Sequence, residues 1–110
     1  MEETTTKRPP VVFISGPITG VEKYWEAFEF VDDVMHALGC VVLNPSHLPR
    51  GLSRRDYMLL CFQMIDTADV VIFLKGWDMS GGAWLEHEFC RYIEKPCVYS
   101  VEEAREVLGV

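Results

Sequence analysis

Apolar residues fall along this chain in two alternating rhythms. Val11 to Ser15, Cys40 to Leu43, Val70 to Leu74 and Cys97 to Tyr99 are short runs with few polar interruptions, the pattern of strands buried on both faces. Between them the apolar positions recur at spacings of three and four. Tyr24, Phe28, Val31, Met35 and Leu38 line one helical stripe, and Gly39 is placed to stop it. Ser53 and Asp56 make a variant of the capping box and open a second helix, whose Tyr57, Leu60, Cys61, Met64 and Ala68 share a face. A third helix is expected from about Gly81 to Glu94, ending before Pro96, and a fourth from Val101 to Leu108.

Strands alternating with helices in this order require right-handed crossovers and a parallel sheet covered on both faces. The expected fold is α/β: a single flavodoxin-like or Rossmann-like domain with four or five parallel strands. At 110 residues the chain is long enough for one core and too short for a second. Residues 1–10, polar and closed by Pro9 and Pro10, read as a flexible N-terminal arm, and residues 11–110 as the domain. In sheets of this kind ligands bind beyond the carboxyl ends of the strands, where the strand order reverses. That draws attention to the turns after the first and third strands.

Composition narrows the classes. With 49% hydrophobic and 25% charged residues the chain has the balance of a globular protein. No apolar run reaches the roughly 20 residues of a membrane span, and residues 1–10 lack the apolar core of a signal peptide, so a cytoplasmic location and no membrane partner are expected. A net charge of −7 repels phosphate backbones and argues against polymeric nucleic acid. Cys40, Cys61, Cys90 and Cys97 have no CxxC spacing and lie in apolar segments, as reduced core residues do. His36, His47 and His87 lack ligand spacing too, so neither a metal nor a cofactor is expected.

Two turns carry candidate chemistry. The first, Ser15, Gly16, Pro17, Ile18, Thr19 and Gly20, combines glycines that let a ligand approach the backbone with two hydroxyls, a setting for an anionic or hydroxyl-rich small molecule. It matches neither the Walker pattern nor GxGxxG, and Gly and Pro also serve turn geometry alone. The second is "KGWDMSGGAWLEHEF", where Ser80 is placed as an N-cap before Gly81 and Gly82. On the helical wheel Gly82, Glu86, Phe89, Cys90 and Ile93 form one stripe, with His87 and Glu88 pointing away. An inward carboxylate needs a partner or a task; the basic partners in reach are Arg50, Arg54 and Arg55. Trp77, Tyr24 and Trp25 are candidates to stack on a flat ring or simply to fill the core. Asn44-Pro45, after the second strand, is a turn former first and a ligand contact second.

Taken together, "ISGPITG" after the first strand, "NP" after the second, "ADVVIFLKGW" as the third and "SGGAWLEHE" opening the next helix resemble the DUF4406 proteins. These are a branch of the nucleoside 2-deoxyribosyltransferase superfamily, which also holds the 2'-deoxynucleoside 5'-phosphate N-glycosidases. The likeness runs from about Val11 to Tyr99. It implies a flavodoxin-like fold, a homodimer or higher homo-oligomer with sites near subunit interfaces, and an enzyme that cleaves the N-glycosidic bond of a 2'-deoxynucleoside or its 5'-monophosphate by hydrolysis or transfer. The nucleophilic glutamate of the active relatives, in a G-x-x-x-E pattern, matches Glu86, four residues after Gly82. By the same likeness Ser15 to Gly20 lie against sugar or phosphate, Ser80 meets a phosphate or hydroxyl, and Trp77 borders the base. One position departs from the pattern: the relatives' aspartate, eight residues before the Asp that precedes the third strand, falls on Cys61. A thiol is a poor substitute for that acid, so the alternative is a non-catalytic nucleotide-binding or sensing module of the same fold.

Overall fold

The computed structural model describes residues 8–110. Four strands, β1 (Val11–Ser15), β2 (Val41–Leu43), β3 (Val70–Phe73) and β4 (Cys97–Val98), alternate with four helices, α1 (Trp25–Ala37), α2 (Arg54–Thr67), α3 (Gly81–Ile93) and α4 (Val101–Leu108). All strand pairs are parallel and the order across the sheet is β2-β1-β3-β4. This is the expected α/β fold with four strands. The order reverses between β1 and β3, which makes the gap between their following turns the switch point of the sheet.

Period two sorts the core. Val12, Ile14, Val70, Ile72 and Val98 pack with Phe28, Val31 and Met35 of α1 and Ala104 of α4. Val11, Phe13, Val71 and Phe73 pack with Cys61 and Ile65 of α2 and Cys90 of α3. Ser15 continues the alternation of Val11 and Phe13, so its hydroxyl is directed to the α2/α3 side. Serine hydroxyls also cap three helices, accepting from backbone N–H groups: Ser53 from Asp56, Ser80 from Ala83 and Ser100 from Glu103, each of the kind whose loss costs about 1 kcal/mol.

Several expectations shift. The outer strands are shorter than the apolar runs, because β2 and β4 are edges: Val41 is 44% and Tyr99 49% exposed. On α2 the buried stripe is Cys61 and Ile65, with Ala68 just beyond the helix, while Leu60 faces outward; Phe62 stacks on Phe89 of α3 and sets that rotation. Of the expected arm, residues 1–7 lie outside the described residues. Arg8 donates to Asp69 Oδ1, Val11 N–H donates to Asp69 Oδ2, and the Pro10 carbonyl accepts from Val41. Arg8 and Pro10 thus carry hydrogen bonds to Asp69 and to β2. Among the described residues no helix is long and apolar enough to cross a membrane.

Gly16 is buried, and a Cβ built on it would stand 2.9 Å from Leu74 Cβ. Its small size serves the packing of β1 against the end of β3. Gly16→Val is therefore expected to destabilise the fold by about 1–3 kcal/mol, as overpacking does. Denaturant titration measures this, and an unchanged midpoint would refute it.

Candidate active site

Ser15 ends β1, Glu86 lies in the second turn of α3, and Cys61 faces them from the middle of α2. The Ser15 hydroxyl donates to Glu86 Oε1 at 2.6 Å, and the Cys61 thiol is near enough to the Glu86 carboxylate for each to shift the other's titration. Glu86 is partly buried and has no basic partner among the described residues: the ion pairs there are Arg8–Asp69, His47–Glu29 and Arg91–Glu88. Arg50, Arg54 and Arg55 are not its partners.

Burial dominates the titration of this pair. It pushes the Glu86 carboxyl up to about 6, against the Ser15 hydrogen bond and the neighbouring Cys61 thiol, which favour the ionised form. The Cys61 thiol is pushed up to about 12, first by burial and then by the negative charge of the neighbouring Glu86. At neutral pH the arrangement is a largely ionised carboxylate held by the Ser15 hydroxyl beside a neutral thiol.

A second cluster adjoins it through α3. Trp77, in a 3-10 turn (Trp77–Met79) after β3, stacks on His87 with ring centroids 4.1 Å apart. His87 also meets Phe73 edge-on and its Nε2 lies 2.8 Å from the Tyr99 hydroxyl. Burial lowers the His87 pKa, so the ring is neutral at physiological pH. The wheel expectation for His87 is corrected: it packs inward, because the α3 surface facing the sheet is wide enough to hold Ala83, Glu86, His87 and Cys90 together. The imidazole also covers one face of Trp77, the face a stacking ligand would otherwise compete for.

The other predicted residues are distributed around this centre. Ser80 is engaged as the α3 N-cap, and the space a Cβ would take at Gly81 or Gly82 is open. Pro17 touches the space above Gly76 at 3.4 Å, bringing the β1 and β3 turns together at the switch point. Ile18 packs against the α1-side core, Thr19 is exposed, and Gly20 adopts φ +77, which suits glycine. Helix α1 starts only at Trp25, so Val21 to Tyr24 separate Gly20 from it. The amides of the first turn are therefore not the N-terminal amides of a helix. An open, mostly apolar depression of about 370 Å³ lies on the α1 side of this turn, between Pro17, Tyr24, Phe28, Phe30 and Leu74. It is bordered by Lys23 and Lys75 and not by Glu86.

Sequence spacing missed one polar group. Asn44, buried after β2, accepts from Ser46 N–H at 2.9 Å, and its amide donates to Glu29 at 3.0 Å and Asp32 at 2.9 Å. His47 is paired with Glu29. Glu29, Asp32 and His47 bring ligand-type atoms within 4.8 Å of one another, from two elements far apart in sequence. The Asn44 oxygen is fixed by the Ser46 backbone, so its amide hydrogens are directed at the two carboxylates. A cation there would have to displace them.

No curated protein matches this sequence. Among solved structures, the 2-desoxiribosyltransferase from Leishmania mexicana superposes with a TM-score of 0.67 at 19% identity, over 83% of this chain and 63% of that one. The likeness supports the architecture; this chain spans less than two thirds of that structure's length. The sequence match is more direct: residues 10–99, from the lead-in to β1 through the end of the sheet and including Ser15, Cys61 and Glu86, fit a single family. The chain belongs to the family described as Domain of unknown function (DUF4406).

Proposed function

We propose that this protein cleaves the N-glycosidic bond of a 2'-deoxynucleoside or 2'-deoxynucleoside 5'-monophosphate, with Glu86 as the nucleophile. The observation that carries this reading is the Glu86 carboxylate, turned inward beside the end of β1, held by the Ser15 hydroxyl and without an ion-pair partner among the described residues. Such a group attacks C1' as the bond to the base breaks, stabilises the oxocarbenium-like charge and traps it as a glycosyl-enzyme. Water then gives hydrolysis, and a second base gives transfer. Ser15 is the positioning residue: its hydrogen bond orients the carboxylate and lowers the cost of keeping it ionised.

In this reading Pro17 to Gly20, Ser80 and Gly82 border the sugar or phosphate, and Trp77 borders the base through the face that His87 leaves. A homodimer or larger homo-oligomer belongs to the same proposal. Met79, Trp84 and Tyr92, exposed on the segments that carry the site, offer it apolar surface, and light scattering in solution tests it.

Cys61 favours a second reading. A thiol pushed up to about 12 delivers a proton poorly to a departing base, as suits a module that binds a nucleotide without turning it over. Incubation with a panel of deoxynucleosides and their monophosphates, with chromatography of free base and calorimetry on the same ligands, separates the two. Released base supports the enzyme, binding without release supports the module, and neither release nor binding refutes both.

A further inference from the structure

The chemistry proposed for Glu86 leaves the depression on the α1 side of the first turn without a role. Its walls are Val21, Tyr24, Phe28 and Phe30, from the entry and first turns of α1, with Pro17 and Leu74 from the turns after β1 and β3. Phe28 belongs to the core and Tyr24 meets it edge-on, whereas Phe30 is 68% and Val21 42% exposed. At about 370 Å³ the space lies within the range of small-molecule pockets. It opens on the side of the sheet that α1 and α4 cover, while Ser15 and Glu86 meet on the side of α2 and α3. Charge sets it apart from the rest of the surface. The chain has 17 acidic and 10 basic residues, yet no acidic residue lines the depression, and the charged residues that do are both lysines, Lys23 and Lys75. Glu22 and Glu26 are close to Lys23 in sequence but do not line the space, and neither lysine joins an ion pair among the described residues. Lys23 also adopts φ 54, a left-handed conformation that a β-carbon disfavours.

We infer that this depression is a second ligand site, separate from the Glu86 centre, that takes a small amphipathic anion: one or two apolar rings lying against Tyr24 and Phe30, with a carboxylate or phosphate held by Lys23 and Lys75. The inference does not depend on the catalytic reading of Glu86. Two like charges on the rim of one small cavity repel each other, and an anion between them relieves that repulsion. The lysine ammonium groups supply it with charge-assisted hydrogen bonds. The rings in turn remove the exposed surface of Val21 and Phe30 from water. An uncharged ring compound gains only this second term, and a small inorganic anion only the first, so the lining selects for the two features joined in one molecule.

The test is titration calorimetry of the full chain with three probes: 2-naphthylacetate, 1-naphthyl phosphate and, as the uncharged control, 2-(2-naphthyl)ethanol. The first two distinguish a carboxylate from a phosphate ligand. At least one of them is expected to bind with a Kd below about 1 mM, a scale within reach of ligands of this size, and about tenfold or more tightly than the alcohol. Lys23→Glu and Lys75→Glu are each expected to weaken the anions by about tenfold or more and to leave the alcohol unchanged; Phe30→Ser weakens all three probes. These three side chains are exposed, so the variants should fold, which melting curves establish first. Lys23→Gln and Lys75→Gln replace any charge reversal that does not. Glu86→Gln is expected to bind the probes as the wild type does, and 2'-deoxyadenosine 5'-monophosphate is expected not to displace them. Absence of binding by both anions, an alcohol that binds as tightly as they do, or affinities indifferent to all three substitutions would each overturn the inference. Displacement by the deoxynucleotide, or loss of binding in Glu86→Gln, would merge the depression with the Glu86 centre and overturn it as a separate site.

Discussion

If Glu86 is the nucleophile proposed above, Glu86→Gln is expected to abolish base release from deoxynucleoside substrates and to raise the stability of the protein at neutral pH. The first effect follows from the chemistry. The amide keeps the volume and can still accept from Ser15 but cannot form the glycosyl-enzyme, so the loss falls on kcat. The second follows from burial, which raises the Glu86 carboxyl from 4.5 to about 6. A carboxyl that binds its proton more tightly when folded stabilises the fold fully below the unfolded value and loses that contribution as pH climbs through the folded one. At pH 7 the wild type therefore carries a burial penalty of about 2 kcal/mol that the glutamine variant escapes. Melting curves should show the variant ahead at pH 7 and level with wild type below about pH 4.5. Wild-type activity should in turn rise through about pH 6 as the nucleophile ionises. Retained turnover in the variant would remove Glu86 from the chemistry, and a melting advantage independent of pH would remove burial as the cause.

Cys61→Asp is expected to raise turnover by about 10²–10⁴-fold, the range general acid–base catalysis supplies. The thiol already lies near enough to Glu86 to feel its charge, so an aspartate there places a second carboxyl close to the first. The two cannot both ionise cheaply, and the pair should titrate in two apparent steps, one of them raised. A new descending limb in the pH–rate profile is the signature, since the protonated member of the pair supplies the proton to the departing base. The same substitution buries a second acid and lowers the melting temperature at neutral pH. A less stable protein with no gain in base release would favour the binding module, because its site would then lack more than one acid. Cys61→Ser serves as control: it keeps a small donor to Glu86 and should give neither the rate gain nor the new limb.

How legible the site was depends on where its parts come from. Glu86 could be found on one helix because a carboxylate on an apolar stripe is anomalous within a single period. Its partners could not be found that way. Ser15 and Cys61 are 71 and 25 positions away, and Arg50, Arg54 and Arg55 looked like better company by charge alone. The Asn44 group shows the same limit, since Glu29 and Asp32 meet His47 only when α1 packs beside β2. His87 was misplaced for a different reason: a wheel assigns one narrow face, whereas a helix lying on a sheet buries a broader arc.

The sequence by itself determined the alternation of strands and helices, their caps, the parallel sheet and the two turns at its carboxyl edge, because each follows from local periods and from the chirality of crossovers. Tertiary structure alone decided which side chains share a pocket. The strand order β2-β1-β3-β4 sets β1 beside β3 and thus Ser15 against α3. The rotation of α2, fixed by Phe62 on Phe89, turns Cys61 rather than Leu60 inward. Burial by both helices then raises the Glu86 carboxyl. Contacts between residues distant in the chain depend on the relative orientation of whole elements, which no local period encodes.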